Sequence, residues 1–211
     1  MKKNPQKNNK RSNTNTLRII GGDWRSRKLS FVDAEGLRPT PDRIRETLFN
    51  WLQGYIHGAN CLDLFAGSGI LGLEALSRGA VQVDFVEMNK AAAKQLESNL
   101  DLLKSNSKVH HQDALDYLQG HLQNYLLNYK SAKKVGGGKN YSIIFLDPPY
   151  RKNLLEKALK ILCDKKNGLA NENTLFYIEH ESEEIFDWDE YGLKVLKEAS
   201  AGQVKSFLMG L

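Results

Sequence analysis

"CLDLFAGSGILGLEAL", residues 61–76, joins a short apolar run to three glycines and then to a run of good helix formers. Cys61–Phe65 suits a buried strand, interrupted only by Asp63. Gly67, Gly69 and Gly72 follow with the G-x-G-x-x-G spacing, and residues 70–78 read as a helix. Glycines at such a turn permit tight backbone angles and close approach of a ligand, while the helix start offers free N–H groups. The stretch predicts a strand–loop–helix unit that holds a cofactor. A tight turn with no ligand is the plainer reading of the same residues.

The pattern repeats outward. Val81–Val86 reads as a second strand and Asn89–Lys104 as a long helix. Val109–Gln112 is a weaker strand, and residues 114–128 are helix-like. Tyr141–Leu146, Leu154–Cys163 and Thr174–His180 continue as strand, helix and strand. This alternation predicts an α/β fold: a mostly parallel sheet with helices on both faces. "LKVLKEASAGQVKSFLMGL", residues 193–211, is instead two β-type runs joined at Ala201-Gly202, an antiparallel hairpin. "KSAKKVGGGKN", residues 130–140, is basic and glycine-rich without periodicity, and reads as a flexible loop.

Upstream, "LRIIGGDWRSRKLSF" (17–31) reads as a hairpin or two short strands around Gly21-Gly22. "RPTPDRIRETLFNWL" (38–52) reads as a helix, with Thr40 or Asp42 as its cap and Ile44, Leu48 and Leu52 on one face. Residues 1–16 are polar and predicted to be a disordered basic tail. The chain thus divides into that tail, an N-terminal hairpin and helix at 17–54, and a main domain at 55–211.

Composition narrows the function classes. The 211 residues are 41% hydrophobic, enough for a real core. No apolar run approaches the roughly 20 residues that span a bilayer, and the N-terminus has no apolar signal segment. A cytoplasmic protein with no membrane partner is expected. Cys61 and Cys163 have no metal or redox spacing and read as core thiols. Net charge is +5 but uneven: residues 1–32 hold nine Lys and Arg against Asp23 alone, which suggests a polyanionic partner.

Three carboxylates follow predicted strands or end them. Asp63 lies four residues before Gly67. It is a poor neighbour for a pyrophosphate and a reasonable one for an ammonium group. Glu87 in "VDFVEMN" can accept from both hydroxyls of a ribose. Asp113 in "HHQDAL" can accept from an exocyclic amine, cap a helix, or do both. His110 and His111 are adjacent, so on a strand they face opposite ways and share no metal ion. No metal site is predicted.

"IIFLDPPYRK", residues 143–152, ends a buried strand in an acid, two prolines and an aromatic ring. A strand followed by an ordinary turn is one reading. The other is an amine clamp at the carboxyl end of an open parallel sheet, where ligands bind. An exocyclic base amine is a poor nucleophile because its lone pair is delocalised into the ring. Asp147 and the Pro148 carbonyl can grip its N–H groups, Pro149 stiffens the backbone, and Tyr150 offers a face on which a base can stack.

"DPPY" at 147–150, "DLFAGSG" at 63–69 and Glu87 resemble the S-adenosylmethionine-dependent amino-methyltransferases of nucleic acids. "RIIGGDWRSRKL", "GLRPTPDRIRETLFNWL" and the ending "AGQVKSFL" are similar to the bacterial 16S rRNA guanine-N2 methyltransferases of the RsmD type, which act on guanine-966. The resemblance covers residues 17–211. It implies a class I, Rossmann-like methyltransferase fold: a seven-stranded, mostly parallel sheet with a reversed last strand. It implies S-adenosyl-L-methionine contacts at Asp63, Phe65, Ala66, Gly67, Gly69, Glu87, Met88, Asp113 and Ala114. Catalytic contacts fall at Asp147, Pro148, Pro149 and Tyr150. Arg18, Arg25, Arg38, Arg43 and Arg45 would face rRNA, with Glu46 and Asn50 close to the active site. The implied partner is 16S rRNA in the assembling small subunit, with the chain acting as a monomer. Three alternatives stay open: an adenine-N6 methyltransferase of DNA or RNA with the same clamp, a nicotinamide-dependent reductase using the glycine loop, and a non-catalytic RNA-binding assembly factor.

Overall fold

The computed structural model describes residues 14–32, 40–130, 140–150, 153–164 and 168–211. Two short strands come first, β1 (Thr14–Arg18) and β2 (Lys28–Val32), paired antiparallel. Helix α1 (Asp42–Trp51) follows. Alternating units come next: β3 (Asn60–Asp63), α2 (Ile70–Ser77), β4 (Gln82–Val86), α3 (Lys90–Leu103), β5 (Lys108–His110) and α4 (Ala114–Lys130). The chain closes with β6 (Ile143–Leu146), α5 (Leu154–Leu162), β7 (Leu175–Glu181), a 3₁₀ turn (Trp188–Tyr191), β8 (Lys194–Ala201) and β9 (Val204–Gly210).

The main sheet runs β5-β4-β3-β6-β7-β9-β8. Strands β3 to β7 are parallel, and β9 is antiparallel to both β7 and β8. This is the expected seven-stranded sheet with its last strand reversed. The unbroken apolar run of β6 is explained by its central place: side chains alternate faces, so Ile143 and Phe145 enter one core cluster while Ile144 and Leu146 enter the other. The strand order reverses between β3 and β6, which opens a crevice outside their carboxyl ends.

The N-terminal segment is part of the same core. Ile19, Leu29, Leu48 and Phe49 pack in one cluster with Phe85, Phe145 and Tyr177 of the sheet. Polar ties run to α2. Glu74, fully buried, accepts from the Ile20 N–H at 2.9 Å and from Arg78 Nε at 2.8 Å. Ser77 Oγ donates to the Gly21 carbonyl at 2.6 Å and accepts from the Trp24 N–H at 2.9 Å. Gly22 has φ +73°, and a Cβ there would sit 1.8 Å from the Ser77 carbonyl oxygen. Gly21-Gly22 is therefore a docking turn.

Two expectations move. β1 starts at Thr14, so residues 14–16, assigned from their polarity to the tail, are paired strand. Backbone pairing with β2 holds them, which side-chain polarity does not report. Helix α1 is capped by neither Thr40 nor Asp42. Pro41 is its N-cap, and Asp42 is already helical. Residues 1–13 and the segment 131–139, read above as tail and loop, lie outside the described residues, as does Arg38.

Candidate active site

The carboxyl ends of neighbouring parallel strands bring together acids that are distant in sequence. Asp63 ends β3, Glu87 follows β4 and Asp147 follows β6. Asp63 is buried, and its Oδ2 accepts from the Gly72 N–H at 3.1 Å. It thereby satisfies one of the donors at the start of α2 from outside the helix. Burial pushes its carboxyl up to about 7; the Gly72 bond pulls it down, and the charges of Asp147 and Glu87 push it higher. Glu87 is 7% exposed. Its Oε2 accepts from the Gly67 N–H at 2.7 Å and its Oε1 from the Asn89 N–H at 2.6 Å. Burial raises its carboxyl too.

The glycines divide their duties. Gly67 and Gly69 adopt φ +54° and +76°, the left-handed region that an L side chain disfavours. Gly72 serves packing: a Cβ there would lie 2.2 Å from Phe85 Cε1. Gly72 completes the G-x-G-x-x-G spacing, and the closeness of α2 to the sheet is what requires it there. Phe65 is half-buried, Ala66 and Ala114 are buried, and Met88 stays 65% exposed beside Glu87. Asp113 is a helix cap: its Oδ1 accepts from the Leu115 N–H at 2.8 Å and the Asp116 N–H at 3.2 Å.

This arc is a test of what the crevice can hold. Three buried or half-buried acids raised by burial, with the charges of Asp147 and Glu87 raising Asp63 further, make a site short of positive charge. A cation with hydroxyl and amine donors fits it, and a pyrophosphate does not. S-adenosylmethionine, with a sulfonium and an ammonium, fits. Asp63, Gly67 and Glu87 would hold it, beside Met88 and Asp113. An acid raised in this way costs the fold stability as pH climbs from 3.8, its ordinary value, to about 7. A bound cation reverses the shift. Its affinity is therefore expected to rise as pH passes through about 7, with proton release on binding. Titration calorimetry in two buffers of different ionisation enthalpy measures that release, and an affinity flat from pH 6 to 8 would remove Asp63 from the site.

Asp147, Pro148, Pro149 and Tyr150 follow β6 without a break. Burial raises the Asp147 carboxyl, and Thr40 Oγ1 donates to its Oδ2 at 3.4 Å. Thr40 is 6% exposed, and its carbonyl accepts from Arg45 Nε at 3.2 Å. It was read from sequence only as a cap. Its role here has no local signal, because Asp147 lies 107 residues away. Thr40 is a positioning residue: its hydroxyl favours the ionised carboxylate. Thr40→Val is expected to lower kcat about fivefold, the worth of about 1 kcal/mol. It should also move the acid limb of the pH–rate profile to higher pH, and Thr40→Ser should restore both. A lowered rate with an unmoved limb would make the effect merely structural.

Tyr150 is 41% exposed, its ring open to solvent. With Pro148, Glu179, His180 and Phe186 it lines a cleft. His180 Nδ1 lies 2.7 Å from the Glu181 carbonyl oxygen and donates to it, and burial lowers the pKa of the ring. His110 Nε2 lies 3.2 Å from Asp84 Oδ1, while His111 is exposed. The described residues hold no cluster of three or more His, Cys, Asp or Glu suited to a metal ion.

The arginines separate. Arg25 and Arg43 are exposed, as are Glu46 and Asn50. Arg18 is largely exposed and donates to Asp42 at 3.2 Å. Arg45 is corrected: at 1% exposure it faces the interior. Its guanidinium donates to the carbonyls of Thr40 and Arg18, to Asp42 and to Glu74. Four of its five N–H donors are engaged inside the fold, and its burial takes the side chain away from an RNA surface.

Comparison with known proteins places these residues in company. A family described as "Conserved hypothetical protein 95" matches residues 17–210. The chain is 44% identical over 191 residues to "Ribosomal RNA small subunit methyltransferase D" of Haemophilus influenzae, covering 89% of this chain and 90% of that relative. It is also 44% identical over 194 residues to the protein of that name in Escherichia coli K12, covering 92% and 89%. Among solved structures, "Putative methyltransferase yhhF from Escherichia coli" superposes with a TM-score of 0.75 at 42% identity, over 93% of this chain and 98% of that one.

Proposed function

The chain belongs to the family described as conserved hypothetical protein 95, and from that premise we propose that it methylates 16S rRNA of the small ribosomal subunit, using S-adenosyl-L-methionine, on the exocyclic N2 amine of a guanine. The observation that carries this reading is the continuity of Asp147, Pro148 and Tyr150 with the arc of buried acids. An amine clamp stands beside a site suited to a cationic methyl donor. When bound, S-adenosylmethionine supplies a sulfonium methyl whose bond to sulfur breaks with the electron pair staying on sulfur.

The protein's own part is positioning and charge. Asp147 and the Pro148 carbonyl accept the two amine hydrogens, and this grip favours a pyramidal nitrogen with its lone pair free to bond carbon. The new N–C bond leaves that nitrogen with one proton too many. Asp147, its basicity raised by burial, is placed to take it. Tyr150 stacks on a base turned out of its helix, which contributes roughly 1–3 kcal/mol. Arg18, Arg25 and Arg43 supply phosphate contacts that hold the RNA in register. The chain works as a monomer in the cytoplasm, on a subunit still being assembled, and guanine-966 is the site.

The test uses purified protein, methyl-labelled S-adenosylmethionine and small subunits lacking base methylation, followed by digestion of the RNA. Labelled N2-methylguanosine at one position is the expected product. Labelled N6-methyladenosine would keep the clamp and replace the substrate. No label in RNA, with the cofactor bound, would overturn the reading.

A further inference from the structure

We propose that Glu179 reads the N1–H of the target guanine beside the Asp147 amine clamp, and so decides between guanine and bases that share its amine but lack that hydrogen. The inference rests on the function proposed above and names the residue behind its base choice.

Glu179 belongs to no motif and lies 32 residues beyond Asp147, yet the sheet brings them side by side. β6 and β7 are parallel and pair Phe145 with Tyr177 and Leu146 with Ile178. The next step in that register sets Asp147 beside Glu179. Phe145 and Tyr177 point into the same core cluster, and side chains alternate, so the two carboxylates leave the sheet on the same face. Their electrostatics express the same nearness: the Asp147 charge, after burial, raises the Glu179 carboxyl. Glu179 is only 3% exposed, yet it lines the cleft that Tyr150 and Pro148 line. Tyr177 Oη donates to its Oε1 at 2.6 Å, which fixes the carboxylate without using Oε2.

Tyr177 satisfies one oxygen of this buried acid; its ionised form gains from a second donor at the other. Asp147 alone grips an amine, and both adenine and guanine offer one. They differ at the adjoining ring nitrogen. Guanine carries N1–H, a donor next to its N2 amine, whereas adenine presents a bare N1 lone pair next to its N6 amine. Burial and the Asp147 charge push the Glu179 carboxyl up to about 8, and a donor such as guanine N1–H favours its ionised form. As pH passes about 8, two neighbouring carboxylates match the donor–donor edge of guanine and set a lone pair of adenine against a negative oxygen. A site built to receive a hydrogen rejects an analogue lacking it strongly, because its acceptor is left buried and unpaired.

The discriminating substrate is 2-aminopurine, which keeps the amine at C2 but has a lone pair at N1 and no oxygen at C6. Small subunits reconstituted with guanine or 2-aminopurine at the methylated position are compared for wild type and Glu179→Gln. Wild type is expected to prefer guanine by about 100-fold in kcat/KM. Glu179→Gln can turn its amide N–H toward a bare N1, so its preference is expected to narrow to within about 10-fold. Loss of the C6 oxygen is common to both enzymes and cancels in that ratio. Cofactor binding of Glu179→Gln, measured by calorimetry, verifies that the variant is folded. Equal rates on the two bases for wild type would overturn the inference and leave the proposed function standing. An unchanged preference in Glu179→Gln would overturn it as well. Transfer to neither base would remove the proposed function, and this inference with it.

Discussion

Asp147→Ala is expected to lower kcat by about 1,000-fold or more while S-adenosylmethionine affinity stays within about threefold. The size follows from the role proposed above, in which its carboxylate grips the amine, sharpens the nitrogen lone pair and receives the departing proton; positioning and proton transfer are each worth orders of magnitude. The separation of rate from affinity follows from the geometry. The carboxylates that would hold the cofactor's ribose and ammonium are Glu87 and Asp63, each fixed by backbone N–H groups that Asp147 does not touch. Removing one charge from the arc also relieves Asp63, whose carboxyl Asp147 pushes upward. The affinity is therefore expected to change slightly. Single-turnover transfer to small subunits measures the first quantity and calorimetry the second. Turnover within tenfold of wild type would dismiss the clamp.

Arg45→Ala is expected to cost about 3–5 kcal/mol of stability, since it breaks a buried ionic network from one side. Arg45 is 1% exposed, and its partner Glu74 is fully buried. Without the guanidinium, Glu74 keeps the Ile20 N–H and Arg78, while the carbonyls of Arg18 and Thr40 lose their donor. Arg45→Lys should recover little, because one ammonium cannot reach acceptors arranged around a planar fork. Arg25→Ala, at an exposed position, is expected to stay within about 0.5 kcal/mol and instead to flatten the salt dependence of RNA binding. Urea unfolding of the three variants separates the roles. A midpoint for Arg45→Ala equal to wild type would return that side chain to the surface.

The βα units were legible because period and length agree. Ile143–Leu146 is apolar at every position, as a strand buried on both faces must be, and Lys90–Leu103 repeats apolar residues at helical spacing. Asp63, Glu87 and Asp147 were legible because each ends or follows such a strand. What the sequence hid is set by distant partners. Arg45 sits two residues from exposed Arg43 in one helix, and only tertiary acceptors reveal that it faces inward. Thr40 looks like a helix cap until Asp147 arrives opposite it. Gly72 completes a ligand-binding spacing, yet Phe85 is what demands it. Glu179 has no spacing at all; strand register alone sets it beside Asp147.

Helix α2 has eight residues, about 12 Å of axis. Asp63 and the glycine loop hold its first turn, and Glu74 and Ser77, further along, hold the hairpin through Ile20, Gly21 and Trp24. A single short rod thus bears the glycine loop at one end and the arginine-bearing hairpin at the other, tied to each by its own hydrogen bonds. In the proposed function the two surfaces would act as a jig of fixed span, against which an RNA held on one is gauged by the other.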